Sequence, residues 1–289
     1  MNWNDARTLV TGGTSFIGSH LIEGLAARGA TVRVLDNLSS GRKEYLARLI
    51  AEGRVELLTG DLLDQETARR GVRNANVVFH VAVDHGGRGY VDLHQSSCAT
   101  NLALDGLLFR AAFEAGVEKV VYASSGCFYP KLSFRGSRRG PVSRREGSRR
   151  HGDDRPGVHQ TRSFVVWGND EQIRNWTHVN DIVEGTIRAA EHIDDGTAVN
   201  LRTMERTRVL DAVHELMAYT GHEAQIELHP QMSTGPMNRV ADDRLAMRLM
   251  GWEPRVSFKE GLHQTIDWYY STTDSRDVAQ RLESSLTER

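Results

Sequence analysis

Residues 10–19 read ValThrGlyGlyThrSerPheIleGlySer and decide the fold of this chain. They follow a short apolar run at 7–11 that predicts a β-strand, and they open a 3.6-residue apolar pattern over 16–28 that predicts a helix. Gly12 lets the chain turn tightly, and Gly18 lets the helix pack closely on the strand. The helix N-terminus offers unpaired N–H groups and a partial positive charge to a pyrophosphate. The stretch therefore predicts a strand–turn–helix unit that binds a dinucleotide.

The same alternation of short apolar runs and helical patterns continues to residue 125 and predicts βαβ units with a parallel sheet. Candidate strands lie at 7–11, 31–36, 54–58, 76–81 and 119–124. Gly29 and Gly116 stand where two of the helices are expected to end. Further helical patterns follow a strand-like run at 163–167. The predicted fold class is α/β, a Rossmann-type doubly wound parallel sheet with a smaller C-terminal lobe that binds the substrate.

The ends of the second, third and fourth strands also carry residues suited to a dinucleotide: Asp36, then Asp61 and Leu62, then Val81 and Ala82. Asp36 ends the second strand, where a carboxylate accepts hydrogen bonds from ribose hydroxyls and repels a 2′-phosphate, so the predicted cofactor is NAD rather than NADP. Turn glycines and a helix-capping aspartate without a ligand are the alternative, but the order strand, glycine turn, helix, strand, aspartate favours the cofactor. The predicted cofactor-binding residues are Gly12, Gly13, Ser15, Phe16, Ile17, Gly18, Asp36, Asn37, Asp61, Leu62, Val81 and Ala82.

The composition of the 289 residues is that of an ordinary globular protein, with 39% hydrophobic and 26% charged residues. The formal charge of −2 predicts no general attraction to nucleic acid or anionic membranes. The two cysteines, Cys98 and Cys127, argue against a disulfide framework. The first residues lack the apolar segment of a signal peptide, and no apolar run is long enough to cross a bilayer. We expect a cytoplasmic protein without a membrane partner.

These motifs resemble the extended short-chain dehydrogenase/reductase family, specifically its NAD-dependent nucleotide-sugar epimerases and dehydratases. The family fingerprint is ThrGlyGlyXGlyPheIleGly, and Ser15 replaces its middle glycine here, a departure expected to tighten the approach to the pyrophosphate. The resemblance covers about residues 7–130 and 163–270. It implies an enzyme that oxidises a nucleotide sugar transiently at C4, so that protons at C3 and C5 become acidic.

Two segments resemble the GDP-mannose 3,5-epimerase branch of that family, which implies a GDP-hexose substrate. ValAspHisGlyGlyArgGlyTyr at 83–90 matches its substrate loop and implies that Gly86 and Gly87 contact the sugar. TyrAlaSerSerGlyCysPheTyrPro at 122–130 implies that Ser125 binds the reacting oxygen and that Cys127 transfers a proton. A small buried hydrophobe is the alternative interpretation of that cysteine.

Two arginine segments resemble the family's diphosphate sites. They are GlnIleArgAsnTrpThrHisValAsnAsp at 172–181 and AsnArgValAlaAspAsp at 238–243. The resemblance implies that Arg174, Asn238 and Arg239 bind the substrate, because a guanidinium fork suits a diphosphate; exposed surface charge is the alternative. No metal site is predicted, since the spacings of His80, His85 and His94 suit no common ligand motif.

The family's Tyr-X-X-X-Lys pair is missing, because no tyrosine here has a lysine four residues later. In its place stands an irregular Arg-rich tract at 132–162. The predicted organisation is a cofactor domain (1–131), this tract, a remaining sheet strand with the substrate lobe (163–272), and a polar tail (273–289). The tract is a natural deletion, an out-of-frame segment, or a basic arm for an anionic partner.

Three functions remain open from the sequence: an epimerase or dehydratase, a catalytically impaired NAD-binding relative, and a nucleic-acid-binding protein that uses the basic tract. The family often dimerises through helices, one of which would fall in the missing part. A homodimer is therefore an open expectation.

Overall fold

Five parallel strands form the central sheet of the computed structural model, which describes residues 1–85, 94–124, 163–168, 170–231 and 242–273. The strands are β1 (Arg7–Thr11), β2 (Thr31–Asp36), β3 (Val55–Thr59), β4 (Val77–His80), β5 (Lys119–Tyr122), β6 (Ser163–Trp167), β7 (Ile173–Arg174), β8 (Thr207–Arg208) and β9 (Gln225–His229). The helices are α1 (Phe16–Ala27), α2 (Ala47–Ala51), α3 (Gln65–Val72), α4 (Gln95–Ala99), α5 (Asn101–Glu114), α6 (Val179–His192), α7 (Val209–Thr220), α8 (Arg244–Met250) and α9 (Phe258–Thr272).

The strand order β3-β2-β1-β4-β5 confirms the predicted doubly wound sheet. The chain runs outward from β1 to β3 and then returns to the other side of β1 as β4. In register, Thr11 at the end of β1 lies between Leu35 of β2 and His80 of β4. The direction of winding therefore reverses between β1 and β4, which is where α/β sheets of this kind bind ligands.

Helices cover both faces of the sheet, so the strands are apolar on both sides. One core cluster joins Val34 and Phe79 to Leu21 and Ile22 of α1, and a second joins Leu35 and Val78 to helices α3 and α5. Helix α6 also packs in the first cluster, against α1. Gly24 permits this close approach, because a Cβ there would lie 2.9 Å from Val183 of α6. Helix α6, which follows residue 163 in the chain, therefore shares the core of the cofactor domain.

A small lobe follows. Ser163–Trp167 is a strand, as predicted, but it pairs in parallel with β9 and not with the central sheet in the described part of the chain. Gln225–His229 supplies its partner among the described residues, and the place of Ser163–Trp167 in the central sheet stays a prediction. Strands β7 and β8 form a second, antiparallel pair. None of the helices in the described ranges is long and apolar enough to cross a membrane.

Asp181, buried in the first turn of α6, joins the lobe to the sheet layer. Its carboxylate accepts backbone N–H groups of Arg255 and Val256 at 3.1 and 3.0 Å, just before α9. Its carbonyl oxygen accepts the indole N–H of Trp252 at 3.0 Å. These contacts fix α9 beside α6, and therefore beside the helix that follows the glycine turn.

Candidate cofactor site

The glycine turn lies directly against the end of β4 at the reversal point of the sheet. Gly12 has a φ of 68°, a left-handed conformation that favours glycine. A Cβ at Gly12 would also lie 2.8 Å from Cα of Ala82 and 2.9 Å from its nitrogen. Both the conformation and the contact exclude a side chain. The turn and the chain after β4 therefore form one closely packed crevice floor.

Ser15 and Gly18 set the start of α1. A Cβ at Gly18 would collide with the carbonyl oxygen of Gly12, so the helix can begin this close only with glycine. Ser15 has ordinary extended dihedrals (φ −80°, ψ 173°) and caps the helix. Its hydroxyl donates to the Gly12 oxygen at 2.6 Å and accepts the Gly18 N–H at 3.4 Å. The serine is thus accommodated because its side chain folds back onto the turn.

The first helical residues, Phe16 and Ile17, offer their backbone to the site. Helix N-terminal N–H groups have no acceptor within the helix, so these two are available to an anion. The Phe16 ring instead makes an edge-on contact with Trp268 of α9, at 4.9 Å between centroids. Gly13 packs on the core, since a Cβ there would lie 2.7 Å from Val34.

Asp36 is held rigidly at the end of β2, with only 8% of its surface exposed. Its Oδ2 accepts the Thr14 N–H at 3.0 Å, and its Oδ1 accepts the Leu38 N–H at 2.8 Å. The second bond turns the chain so sharply that Leu38 adopts a φ of 60°. Each carboxylate oxygen keeps a further lone pair for a ligand hydroxyl.

Asn37 and Asp61 face each other beside this carboxylate. The Asn37 amide donates to Oδ2 of Asp61 at 3.2 Å, and the other Asp61 oxygen accepts the Leu63 N–H at 2.8 Å. Leu62, in contrast, is buried in the second core cluster, to which Leu35 also belongs. Of the predicted cofactor-binding residues that follow β3, Leu62 can therefore offer only its backbone to a ligand.

Beneath the crevice lies a polar chain, buried at Thr11 and His80, that the sequence did not reveal. Thr11 Oγ1 lies 2.6 Å from Nδ1 of His80, whose Nε2 lies 3.0 Å from Oδ1 of Asp105 on α5. The Tyr122 hydroxyl donates to the other Asp105 oxygen at 2.9 Å. Burial lowers the pKa of His80, and Asp105 opposes this shift. Burial also raises the pKa of Tyr122, as does its hydrogen bond to Asp105.

The chain leaving β4 is fixed by a side-chain clamp. The Asn101 amide oxygen accepts the Asp84 N–H at 2.8 Å, and its NH₂ group donates to the Asp84 carbonyl at 2.9 Å. Val81 and Ala82, just before, pack against the two opposite core clusters. The floor of the crevice is therefore anchored on both sides of the sheet.

Arg174 is the one predicted substrate residue within the described ranges. It lies on β7 of the lobe, and its guanidinium donates to the Ile173 carbonyl at 2.9 Å and to Oε1 of Gln172 at 3.2 Å. The other predicted catalytic and substrate residues lie outside the described residues, as does the tract 132–162. They are Ser125, Cys127, Gly86, Gly87, Asn238 and Arg239.

The described residues fit a dinucleotide. The turn leaves no room for a side chain above Ala82, the start of α1 supplies N–H donors, and an anchored carboxylate ends the neighbouring strand. No group of three or more His, Cys, Asp or Glu residues that could hold a metal ion occurs in the part of the chain with assigned positions.

Comparison with known proteins matches the two halves of the chain to related family models. Residues 8–147 match the NAD dependent epimerase/dehydratase family, and residues 157–265 match GDP-mannose 4,6 dehydratase. A UDP-N-acetyl-alpha-D-glucosaminuronate decarboxylase of Bacillus cytotoxicus is 25% identical over 91% of this chain and 97% of its own. A UDP-glucose 4-epimerase of Mycolicibacterium smegmatis is 26% identical over 91% and 98%.

Solved structures show the same fold. The UDP-glucose 4-epimerase of Stenotrophomonas maltophila, with bound NAD and formylated UDP-arabinopyranose, superposes with a TM-score of 0.75 at 19% identity. The similarity covers 92% of this chain and 98% of that one.

Proposed function

We propose that this chain is a member of the NAD dependent epimerase/dehydratase family, whose model matches residues 8–147. We propose further that it binds NAD and a nucleotide sugar at the reversal point of its sheet. The observation that carries the proposal is the close approach of Gly12 to Ala82, which leaves no room for a side chain between the glycine turn and the end of β4. The anchored Asp36 carboxylate at the next strand end supports NAD, because it suits ribose hydroxyls and opposes a 2′-phosphate.

Each part of the cofactor has a counterpart among these residues. The N–H groups of Phe16 and Ile17 would bind the pyrophosphate. Asp36 would accept the ribose hydroxyls, and Asp61 would accept the adenine amino group. Bound NAD supplies the hydride acceptor for oxidation of a sugar carbon.

The substrate part of the proposal concerns residues of both halves. Arg174 and Arg239 would bind the diphosphate through charged hydrogen bonds, which are stronger than neutral ones. Ser125 would donate to the sugar oxygen that becomes a carbonyl. Cys127 would take up and return a proton at the neighbouring carbon.

We propose a GDP-hexose as the substrate. The match of residues 157–265 to GDP-mannose 4,6 dehydratase supports guanine, as do the two segments that resemble GDP-mannose epimerases. The named relatives from Bacillus cytotoxicus and Mycolicibacterium smegmatis are UDP-sugar enzymes, so a UDP-sugar is the rival substrate.

The second candidate is an NAD-binding member of the family with impaired chemistry. The sequence lacks the Tyr-X-X-X-Lys pair that would act as general base. Tyr122 is a poor substitute, because its raised pKa keeps it protonated at neutral pH, and its hydroxyl proton is donated in a hydrogen bond to Asp105. This observation favours low turnover without loss of cofactor binding.

A homodimer is part of the proposal. Helix α5 exposes Leu102 and Phe113 by 79% and 88%, and Phe109, on the same helix face, by 39%. Exposed apolar patches of this kind favour association. Sedimentation equilibrium of the purified chain tests it, with a concentration-independent monomer as the contrary result.

Solvent-deuterium exchange tests the reaction and the base together. The purified chain is incubated with NAD in D₂O and either GDP-mannose or UDP-glucose, and the sugar protons are followed by NMR. Exchange at C3 or C5 of GDP-mannose alone supports the GDP-hexose proposal. Exchange or epimerisation of UDP-glucose alone contradicts it, and NAD binding without change of either sugar favours the impaired relative.

A further inference from the structure

The ends of β1, β4 and β5 carry three cross-strand neighbours that share one hydrogen-bond chain. Thr11 lies opposite His80, and His80 lies opposite Tyr122. Asp105 reaches this row from α5 and contacts both His80 and Tyr122. The side chains of Thr11 and His80 are almost fully buried. A buried polar group without a partner is costly, so the donors and acceptors of this row must match.

The matching determines the tautomer of the imidazole. A carboxylate only accepts hydrogen bonds, so Nε2 of His80 carries a proton and donates it to Asp105. In a neutral ring Nδ1 is then an acceptor, and the Thr11 hydroxyl donates to it. The Thr11 oxygen in turn accepts the backbone N–H of Ala82 at 3.3 Å. One continuous chain therefore runs from Asp105 to Ala82.

We propose that His80 and Asp105 are positioning residues that hold the Ala82 backbone at its distance from the Gly12 turn. This inference rests on the proposed function, because it takes the crevice between these residues as the NAD site. Ala82 supplies the atoms nearest to the turn. A fixed Ala82 gives a crevice already formed for the cofactor, so less binding energy is lost in ordering it.

Proton uptake by His80 would break the chain. Both ring nitrogens would then donate, and the Thr11 hydroxyl proton would lose its acceptor inside the protein. Asp105 favours the charged ring and burial opposes it, while Tyr122 contacts the same carboxylate. The neutral ring with a proton on Nε2 is thus the form that positions Ala82.

Thr11→Val tests the chain against a matched control on the same strand. Thr8 is equally buried, but its hydroxyl donates to the Thr31 carbonyl at 3.2 Å, three residues from the cofactor end. We expect Thr11→Val to weaken NAD binding by about three- to tenfold, which is the change in dissociation constant expected from the loss of one neutral hydrogen bond. Thr8→Val should change the affinity for NAD by no more than about twofold. Thr11→Ser keeps the hydroxyl and should bind NAD as the wild-type chain does. Equal effects of the two valine variants would overturn the inference.

Two substitutions of Asp105, one conservative and one not, test its role separately. Asp105→Asn keeps an oxygen acceptor for His80 and should retain the NAD affinity, whereas Asp105→Leu removes it and should weaken binding as Thr11→Val does. The imidazole ¹⁵N shifts of the wild-type chain, measured at pH 7 without NAD, should show a proton on Nε2 of His80. A proton on Nδ1 would overturn the inference whether or not NAD binds. Absence of NAD binding by the wild-type chain would instead refute the proposed function.

Discussion

A Cβ at Gly12 would lie 2.8 Å from Cα of Ala82, so the first turn of the chain and the end of the fourth strand leave no room for a side chain between them. These two residues are seventy positions apart in the sequence. The contact exists because β1 and β4 are neighbours in register, with Thr11 opposite His80. It places the glycine turn at the reversal point of the sheet.

Gly12→Ala should therefore abolish detectable NAD binding, while Gly53→Ala should not. Both glycines have a φ near 67°, so both variants carry the same backbone strain of about 1 kcal/mol. Only Gly12 has neighbours that a methyl group would strike; nothing lies within 4 Å of a Cβ at Gly53. Isothermal titration with NAD measures the difference. Similar affinities for the two variants would show that the turn is not part of the site.

The free energy of unfolding should fall as the pH is lowered from 7 through about 6.5. Burial lowers the pKa of His80 in the folded chain, so the unfolded chain binds more protons in that range. The resulting stability is present above the ordinary histidine pKa and is lost as the pH falls toward the folded value. The slope cannot exceed about 1.4 kcal/mol per pH unit for each histidine. Urea unfolding at pH 7.5, 6.5 and 5.5 measures it.

His178 shifts in the same direction through burial, so a variant must separate the two contributions. His178→Asn keeps a capping side chain at the start of α6 and removes the titration. Among the described histidines whose pKa is shifted, His80 then remains, and the carboxylates with lowered pKa titrate at more acidic pH than a histidine. A stability that rises on acidification would contradict the assignment.

Arg174→Ala should weaken binding of GDP in the presence of NAD by about 1.5–3 kcal/mol, the contribution of a charged hydrogen bond. Arg208→Ala, on the strand paired with β7, is the control, because the Arg208 guanidinium forms an ion pair with the Asp211 carboxylate at 3.0 Å and no resemblance assigns it to the diphosphate. Titration calorimetry with GDP compares the two, and Arg239→Ala extends the test to the second predicted arginine. Unchanged affinity in Arg174→Ala would place the diphosphate elsewhere.

Any residual proton exchange at the sugar should depend on Cys127. Without a general base the rate should lie about 10²–10⁴ below that of a complete enzyme. Cys127→Ala should remove what remains, while Cys98→Ala on α4 should leave it unchanged. The readout is deuterium incorporation at C3 and C5 of GDP-mannose by NMR. Exchange near 1 s⁻¹, an ordinary turnover, would mean that another residue serves as the base.

The cofactor half of the fold was predictable because its signals are local. The turn over Gly12 and the strand end at Asp36 are both defined by residues within one βα unit. The hydrogen bond between His80 and Asp105 was not predictable, since it depends on how α5 packs beside β4, 25 residues later. Leu62 was assigned to the cofactor from its position after a strand, but its side chain is part of the core.

The lobe was less predictable, because its elements pack against partners that are far away in the sequence. The apolar run at 163–167 predicts a strand, but only the distant Gln225–His229 determines which sheet it joins. Helix α6 has a clear 3.6-residue pattern, yet its place against α1 depends on Gly24, which lacks a side chain on the contact face. Sequence patterns thus identified the elements, but they could not identify packing partners that are far away in the chain.

The dissociation constants of NAD and NADP for the purified chain test the central claim most directly. Asp36 stands fixed by Thr14 and Leu38 at the end of β2, and its charge should oppose a 2′-phosphate. The account predicts tighter binding of NAD, with the preference reduced in Asp36→Ala but kept in Asp64→Ala, whose carboxylate also accepts a backbone N–H but caps α3. Equal or tighter binding of NADP by the unaltered chain would contradict it.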